Sequence, residues 1–204
     1  MSYKGEGQKM KERIIKDYRP YLAKLSELSY DKEHNVALIE DDDPMHRMYN
    51  FDGISDRFSK KIRGDKNMSC DGYFVKSHQE AYLVEFKNQE EGSIDKKWLK
   101  NKIYDSVTTL VMNENVTRED VTGRTTIIIV YNDERKQKKT NSDYNTSQSF
   151  NKFSKKMASL SGRQEIDCLD KKFDLEKYKG ILFKEVYTVD KKDFEQKFLD
   201  IIFE

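Results

Sequence analysis

The sequence predicts an α/β fold in which a mixed central sheet is flanked by helices, and three observations carry that prediction. Two short apolar runs, 70–77 and 81–88, flank the polar residues 77–80, which reads as a hairpin. Residues 94–113 then place apolar side chains at helical spacing. Residues 125–131 follow as an unbroken run of β-branched side chains ending in a tyrosine, the pattern of a strand buried on both faces. Strands alternating with helices call for a sheet packed by helices.

Along the chain, Ile14, Ile15, Tyr18, Tyr21, Leu22, Leu25 and Leu28 recur at three- and four-residue intervals. They predict a helix over 9–29 that Pro20 splits or kinks. Residues 35–40 read as a short strand and 41–44 as a loop. Over 45–62, Met45, Met48, Tyr49, Ile54 and Phe58 suit one helix or two short ones. In the hairpin, Tyr73, Phe74 and Val75 favour extended backbone. Ser93 is the expected N-cap of the 94–113 helix. Its stripe is Ile94, Trp98, Ile103, Val107, Leu110 and Val111, with Lys97, Lys100 and Lys102 off it. A polar segment, about 133–165 and with a helix at 149–160, precedes a strand at 181–189. An amphipathic helix at 191–203 closes the chain, with Phe194, Phe198, Ile201 and Ile202 inward.

The 204 residues suffice for a single domain spanning 1–204. Charged residues make up 37% and apolar ones 36%, so the core lies beneath a heavily solvated surface. A net charge of +1 gives no evidence for nucleic-acid binding, but its distribution is uneven. Residues 31–57 hold eight acids against three bases, and 134–163 hold eight bases against two acids, Lys138 and Lys139 among the bases. The basic segment could attract a phosphate backbone through counterion release, or be a solvated loop. Cys70 and Cys168 lack the spacing of a zinc site or a disulfide framework. Residues 1–13 carry no apolar signal core, and no run reaches the roughly 18 residues that cross a bilayer. A cytoplasmic protein without a membrane partner is expected.

The chemistry gathers at Asp71 and at Glu85-Phe86-Lys87. Strand side chains alternate, so Glu85 and Lys87 share a face that Val84 and Phe86 do not. An odd-length hairpin loop sets Asp71 opposite Glu85, with Cβ atoms about 4.5–5.5 Å apart. Two carboxylates so close repel each other unless a cation lies between them, and Mg²⁺ or Mn²⁺ suits oxygen ligands. Lys87 would hold an attacking water and offset developing charge. Acid-x-Lys recurs at 95–97, 134–136, 170–172, 190–192 and 195–197; only 85–87 lies in an apolar strand that follows a strand with an aspartate.

An aspartate on one strand, Glu-x-Lys on the next, then a helix and a buried strand resembles the core of the PD-(D/E)XK nucleases, over about residues 69–132. Cys70 stands where the motif's proline would be. The resemblance implies a restriction-endonuclease-like core and a Mg²⁺-dependent nuclease acting on nucleic acid, DNA foremost, in a defence or mobile-element setting. It assigns metal binding to Asp71, Glu85 and the Phe86 carbonyl, and catalysis to these acids with Lys87. Many members add an acid from a preceding helix; Glu12, Glu27 and Glu33 are its candidates, Glu27 being taken into the expected ligand set. Lys97, Lys100, Lys102, Lys138 and Lys139 are candidate nucleic-acid contacts, and a homodimer or protein partner stays open. The rival expectation is a catalytically inactive nuclease-like fold acting as an immunity or regulatory module.

Other residues carry weaker expectations. The run 40–43 reads as a solvated turn, His78 as exposed and His46 as structural. Trp98 is expected in the core, and Tyr73, on the face of Asp71, could touch substrate.

Overall fold

The computed structural model describes residues 3–133 and 172–204. Basic residues of the 134–163 segment, Lys138 and Lys139 included, and the helix expected at 149–160 lie outside them. The fold is α/β, with a mixed six-stranded sheet flanked by helices.

Helix α1, Tyr3–Tyr18, ends two residues before Pro20, and a 3₁₀ turn at Arg19–Tyr21 takes its place. The helix expected to run on to residue 29 does not. Leu22–Lys24 is strand β1, paired with β4 (Arg47–Asn50), and only Leu25–Leu28 returns to helix, as α2. Pairing at the sheet edge overrides a helical apolar spacing there. The 35–40 strand is reduced to β3 (Val36–Ala37), which pairs with β2 (Tyr30–Asp31) in a separate ribbon. The ambiguous 45–62 stretch divides into β4 and α3 (Phe51–Ile62), capped by Asn50, whose Oδ1 accepts from Gly53 N at 3.0 Å.

Strands β5 (Gly72–Ser77) and β6 (Glu80–Lys87) form the expected hairpin. Helix α4 (Lys96–Glu114) crosses over to α5 (Arg118–Arg124), which the sequence reading did not foresee, and to β7 (Thr125–Tyr131). Strand β8, Glu185–Asp190, begins later than expected. Lys191–Asp193, a π turn at Phe194–Phe198 and Leu199–Phe203 make the closing helix, α6.

The strand order is β1-β4-β5-β6-β7-β8. The pairs from β1 to β6 are antiparallel; β6–β7 and β7–β8 are parallel. Alternation along the strands divides the core between the two sheet faces. Leu83, Ile127 and Ile129 meet α1, α3, α4 and α5, while Tyr82, Val84, Phe86, Ile128 and Val130 meet α2 and α6. Every residue of β7 is buried, as expected of a strand covered on both sides. Among the described residues, no helix is long and apolar enough to cross a membrane.

Candidate functional site

The hairpin turn proper has two residues, His78 and Gln79, which in a regular ladder would set Asp71 opposite Phe86. A bulge at Lys76 prevents this. Ser77 pairs with Glu80 but Val75 pairs with Ala81, so one residue is left over on β5. Beyond the bulge Tyr73 faces Leu83 and Gly72 faces Val84, the last pair of the ladder, and Asp71 follows, sharing Lys102 with Glu85. The bulged residue is tied down. Lys11 Nζ donates to its carbonyl at 2.7 Å, and its own Nζ donates to the Ile201 carbonyl at 2.8 Å, near the end of α6.

Asp71 is held by its backbone and its side chain. Its N–H donates to the Val84 carbonyl at 3.0 Å and its carbonyl accepts from Phe51 N at 3.0 Å. Its Oδ2 accepts from Phe86 N at 2.7 Å, which leaves Oδ1 facing the cluster. Since the Phe86 N–H lies on the β5 edge of β6, strand alternation puts its carbonyl on the same edge, next to Asp71. Glu85 is fully buried, and Lys87 Nζ lies 2.7 Å from its Oε1. Asp71, Glu85 and Lys87 therefore share the sheet face that α4 covers.

A fourth group completes the cluster. Lys102 Nζ donates to Glu85 Oε1 at 2.7 Å and Oε2 at 2.9 Å, and to Asp71 Oδ1 at 3.4 Å. Sequence reading put Lys102 off the apolar stripe of its helix, and the structure corrects this. The buried stripe of α4 is Leu99, Lys102, Ile103, Ser106, Val107, Leu110 and Glu114, at spacings of three and four, with Thr109 buried beside it. Counting lysine as solvent-facing hid a residue whose position on that stripe was itself the signal. Trp98, expected in the core, is instead 43% exposed, its ring centroid 4.2 Å from Lys87 Nζ and 4.8 Å from Lys102 Nζ. Asp95, not Ser93, caps α4, accepting from Lys97 N at 2.8 Å and Trp98 N at 3.0 Å. A carboxylate suits a helix N-terminus, and Ser93 closes a separate 3₁₀ turn.

Helix and strand are locked together beside the acids. Ser106 Oγ donates to the Lys102 carbonyl at 2.7 Å and accepts from Cys70 N at 2.9 Å. Burial and the neighbouring Glu85 charge push the Asp71 carboxyl up to about 8. Burial works against the Lys102 ammonium, but Glu85 and Asp71 outweigh it and hold its pKa above the ordinary lysine range.

The other candidates lie elsewhere. Glu27 is on α2, which packs through Leu25 and Leu28 against the opposite sheet face, and its Oε2 accepts from Lys24 N at 3.0 Å. Glu12 is exposed on α1, and Glu33 is exposed in the turn after β2. Asp31, Glu33 and His34 come together there. Asp31 Oδ1 accepts from Glu33 N at 2.9 Å and His34 N at 3.3 Å, while its Oδ2 meets His34 Nδ1 at 2.6 Å, so a turn accounts for the cluster. Lys97 is exposed and Lys100 half-buried. His46 stacks on Phe203 and pairs with Asp41, and His78 is exposed.

Tyr73 is wholly buried, so it cannot touch substrate. It belongs to a second polar cluster that sequence reading missed, with Glu114, Arg124 and Tyr18. Arg124 pairs with Glu114, both beneath the surface, and Asn113 Nδ2 donates to Tyr18 Oη at 2.9 Å. Burial raises the Glu114 carboxyl above its ordinary value despite the guanidinium and the tyrosine hydroxyls.

No family model, curated protein or solved structure matches this chain. What fold and site define is a mixed α/β sheet carrying two carboxylates and two ammonium groups on one face.

Proposed function

We propose that this chain is a metal-dependent nuclease with a restriction-endonuclease-like core, hydrolysing phosphodiester bonds in nucleic acid, DNA foremost. One observation carries the reading: the Asp71 and Glu85 carboxylates converge on one point, Lys102 Nζ, at 3.4 and 2.7 Å, with Lys87 Nζ 2.7 Å from Glu85 on the same face. The order β5, β6, α4, β7, with β7 parallel to β6, supports it. The donor set fits a hard divalent cation. Asp71 Oδ1, the Glu85 carboxylate and the Phe86 carbonyl would hold it. When bound, such an ion polarises a phosphoryl oxygen and acidifies a water. Lys87 orients the attacking water and offsets charge on the phosphate, and no nucleophilic side chain is required.

The test is incubation with single- and double-stranded DNA and RNA in Mg²⁺, Mn²⁺ or EDTA. Cleavage is expected in the metal arms alone, leaving a 5′-phosphate and a 3′-hydroxyl, with a loss of about 10²–10³ in Lys87→Ala. Equal cleavage in EDTA, or an unchanged Lys87→Ala, refutes the mechanism. A second reading, the nuclease-like fold as a catalytically inactive protein-binding module, draws on Lys102, whose ammonium already meets both acids where an ion would sit. No cleavage in any arm favours it.

A further inference from the structure

We propose that Lys102 is a built-in counter-ion: its ammonium holds Asp71 and Glu85 together while the site is metal-free, and it must leave their cleft before a divalent cation enters. The inference rests on reading this site as metal-dependent.

A lysine on the core-facing stripe of a helix is costly unless its charge is met. Here it is met at both acids, with 2.7 and 2.9 Å contacts to Glu85 and 3.4 Å to Asp71 Oδ1, and the residue is 7% exposed. The ammonium thus contacts both carboxylates that would ligate the ion, including the one Asp71 oxygen not taken by Phe86 N–H. Lys87 reaches only Glu85, so it can stay. The Ser106 link, from the Cys70 N–H to the Lys102 carbonyl, fixes the helix against the strand, so an exchange falls to the lysine side chain alone.

Charge decides the sequence of events. With both acids ionised, as metal ligation requires, two carboxylates and two ammonium groups sum to zero, and a divalent cation added to them leaves an uncompensated double charge in a poorly solvated cleft. With Lys102 withdrawn, the acids, Lys87 and the cation sum to a single positive charge, which one phosphodiester balances. Metal and substrate phosphate are therefore expected to load together, and the released ammonium is free to meet the phosphate. The Trp98 ring, 43% exposed and 4.8 Å from Lys102 Nζ, offers a displaced ammonium a cation–π partner at the surface.

The experiment compares Mn²⁺ binding by calorimetry to the wild-type protein and to Lys102→Met, which keeps the stem and removes the charge. The variant is expected to bind at least tenfold more tightly, and to unfold at a lower temperature in EDTA with the loss restored by Mn²⁺. Equal or weaker binding by a folded variant overturns the counter-ion role and leaves the metal reading standing. If neither protein binds Mn²⁺, alone or with a short phosphorothioate DNA present, the metal reading falls and this inference with it. Should Lys102→Met not fold, amine labelling of the wild-type protein decides the matter. Lys102 is expected to label several-fold faster at saturating Mn²⁺, and an unchanged rate overturns the proposal.

Discussion

Replacing Arg124 with methionine tests how the core tolerates its second ion pair. Glu114 and Arg124 are 2% and 3% exposed, so losing the guanidinium leaves the Glu114 carboxylate buried without its cation. Removing one partner of such a pair costs about 3–5 kcal/mol, because the other charge stays buried alone. For a chain of this size 1 kcal/mol moves the unfolding midpoint by about 2–4 °C, so a fall of roughly 6–20 °C is expected. The loss depends on pH, and its sign follows from Glu114. Its carboxyl is raised above 4.5 in the folded chain, and more so without Arg124. As pH rises past about 4.5 the unfolded chain ionises first, so stability is present below that value and lost above it. Urea unfolding followed by circular dichroism at pH 4.5 and 7.5 should give a larger deficit at the higher pH. The double variant Glu114→Gln/Arg124→Met should recover most of the loss, since no charge is then stranded. A deficit under 1 kcal/mol at pH 7.5, or a double variant no better than the single one, refutes the argument.

Two further outcomes follow from the hairpin. Burial and Glu85 raise Asp71 from 3.8 to about 8, so metal-free wild-type stability should fall as pH climbs between those values. Asp71→Asn should flatten that dependence and raise the midpoint in EDTA at pH 8; an unchanged pH profile in thermal melts contradicts it. Deleting Lys76 removes the bulge without moving Asp71 from Glu85, at the loss of two hydrogen bonds worth about 1 kcal/mol each. Deleting Val75 instead brings Lys76 into a core position and should cost far more. Equal midpoints for the two deletions would show that the register is not what the bulge maintains.

How much of this was legible depended on whether a local rule or a tertiary contact decided the matter. Strand alternation alone puts Glu85 and Lys87 on one face, and an aspartate before the preceding strand could be paired with them on paper. The parity of the loop could not be settled, because a two-residue turn with a bulge has the same ladder register as an odd loop. Leu22–Lys24 carries helical spacing yet forms strand β1, since β4 offers a partner only in three dimensions. Lys102 was misplaced for another reason. Treating lysine as solvent-facing ignores that a carboxylate pair across the interface can hold it on a core stripe. Glu114 and Arg124 gave no sign of pairing, their ten-residue separation spanning the end of α4 and all of α5.

The two polar clusters on this sheet face differ in a way that bears on function. Each joins carboxylate to cation under α4, one around Asp71 and Glu85, the other beneath Tyr73. In the second, the Arg124 and Glu114 side chains are 4% and 1% exposed, although Tyr18 and Glu114 line a cavity of about 140 Å³ under α1 and α3. In the first, the side chains of Asp71 and Lys87 keep 18% and 15% of their surface in solvent, while Glu85 behind them keeps none. An ion pair that serves stability alone gains nothing from such an opening, since water weakens it. A site that must exchange ions and admit a phosphate requires one. The opening at Asp71 and Lys87 supports the chemical role proposed for the first cluster, and the burial of the Arg124–Glu114 pair suits a structural one.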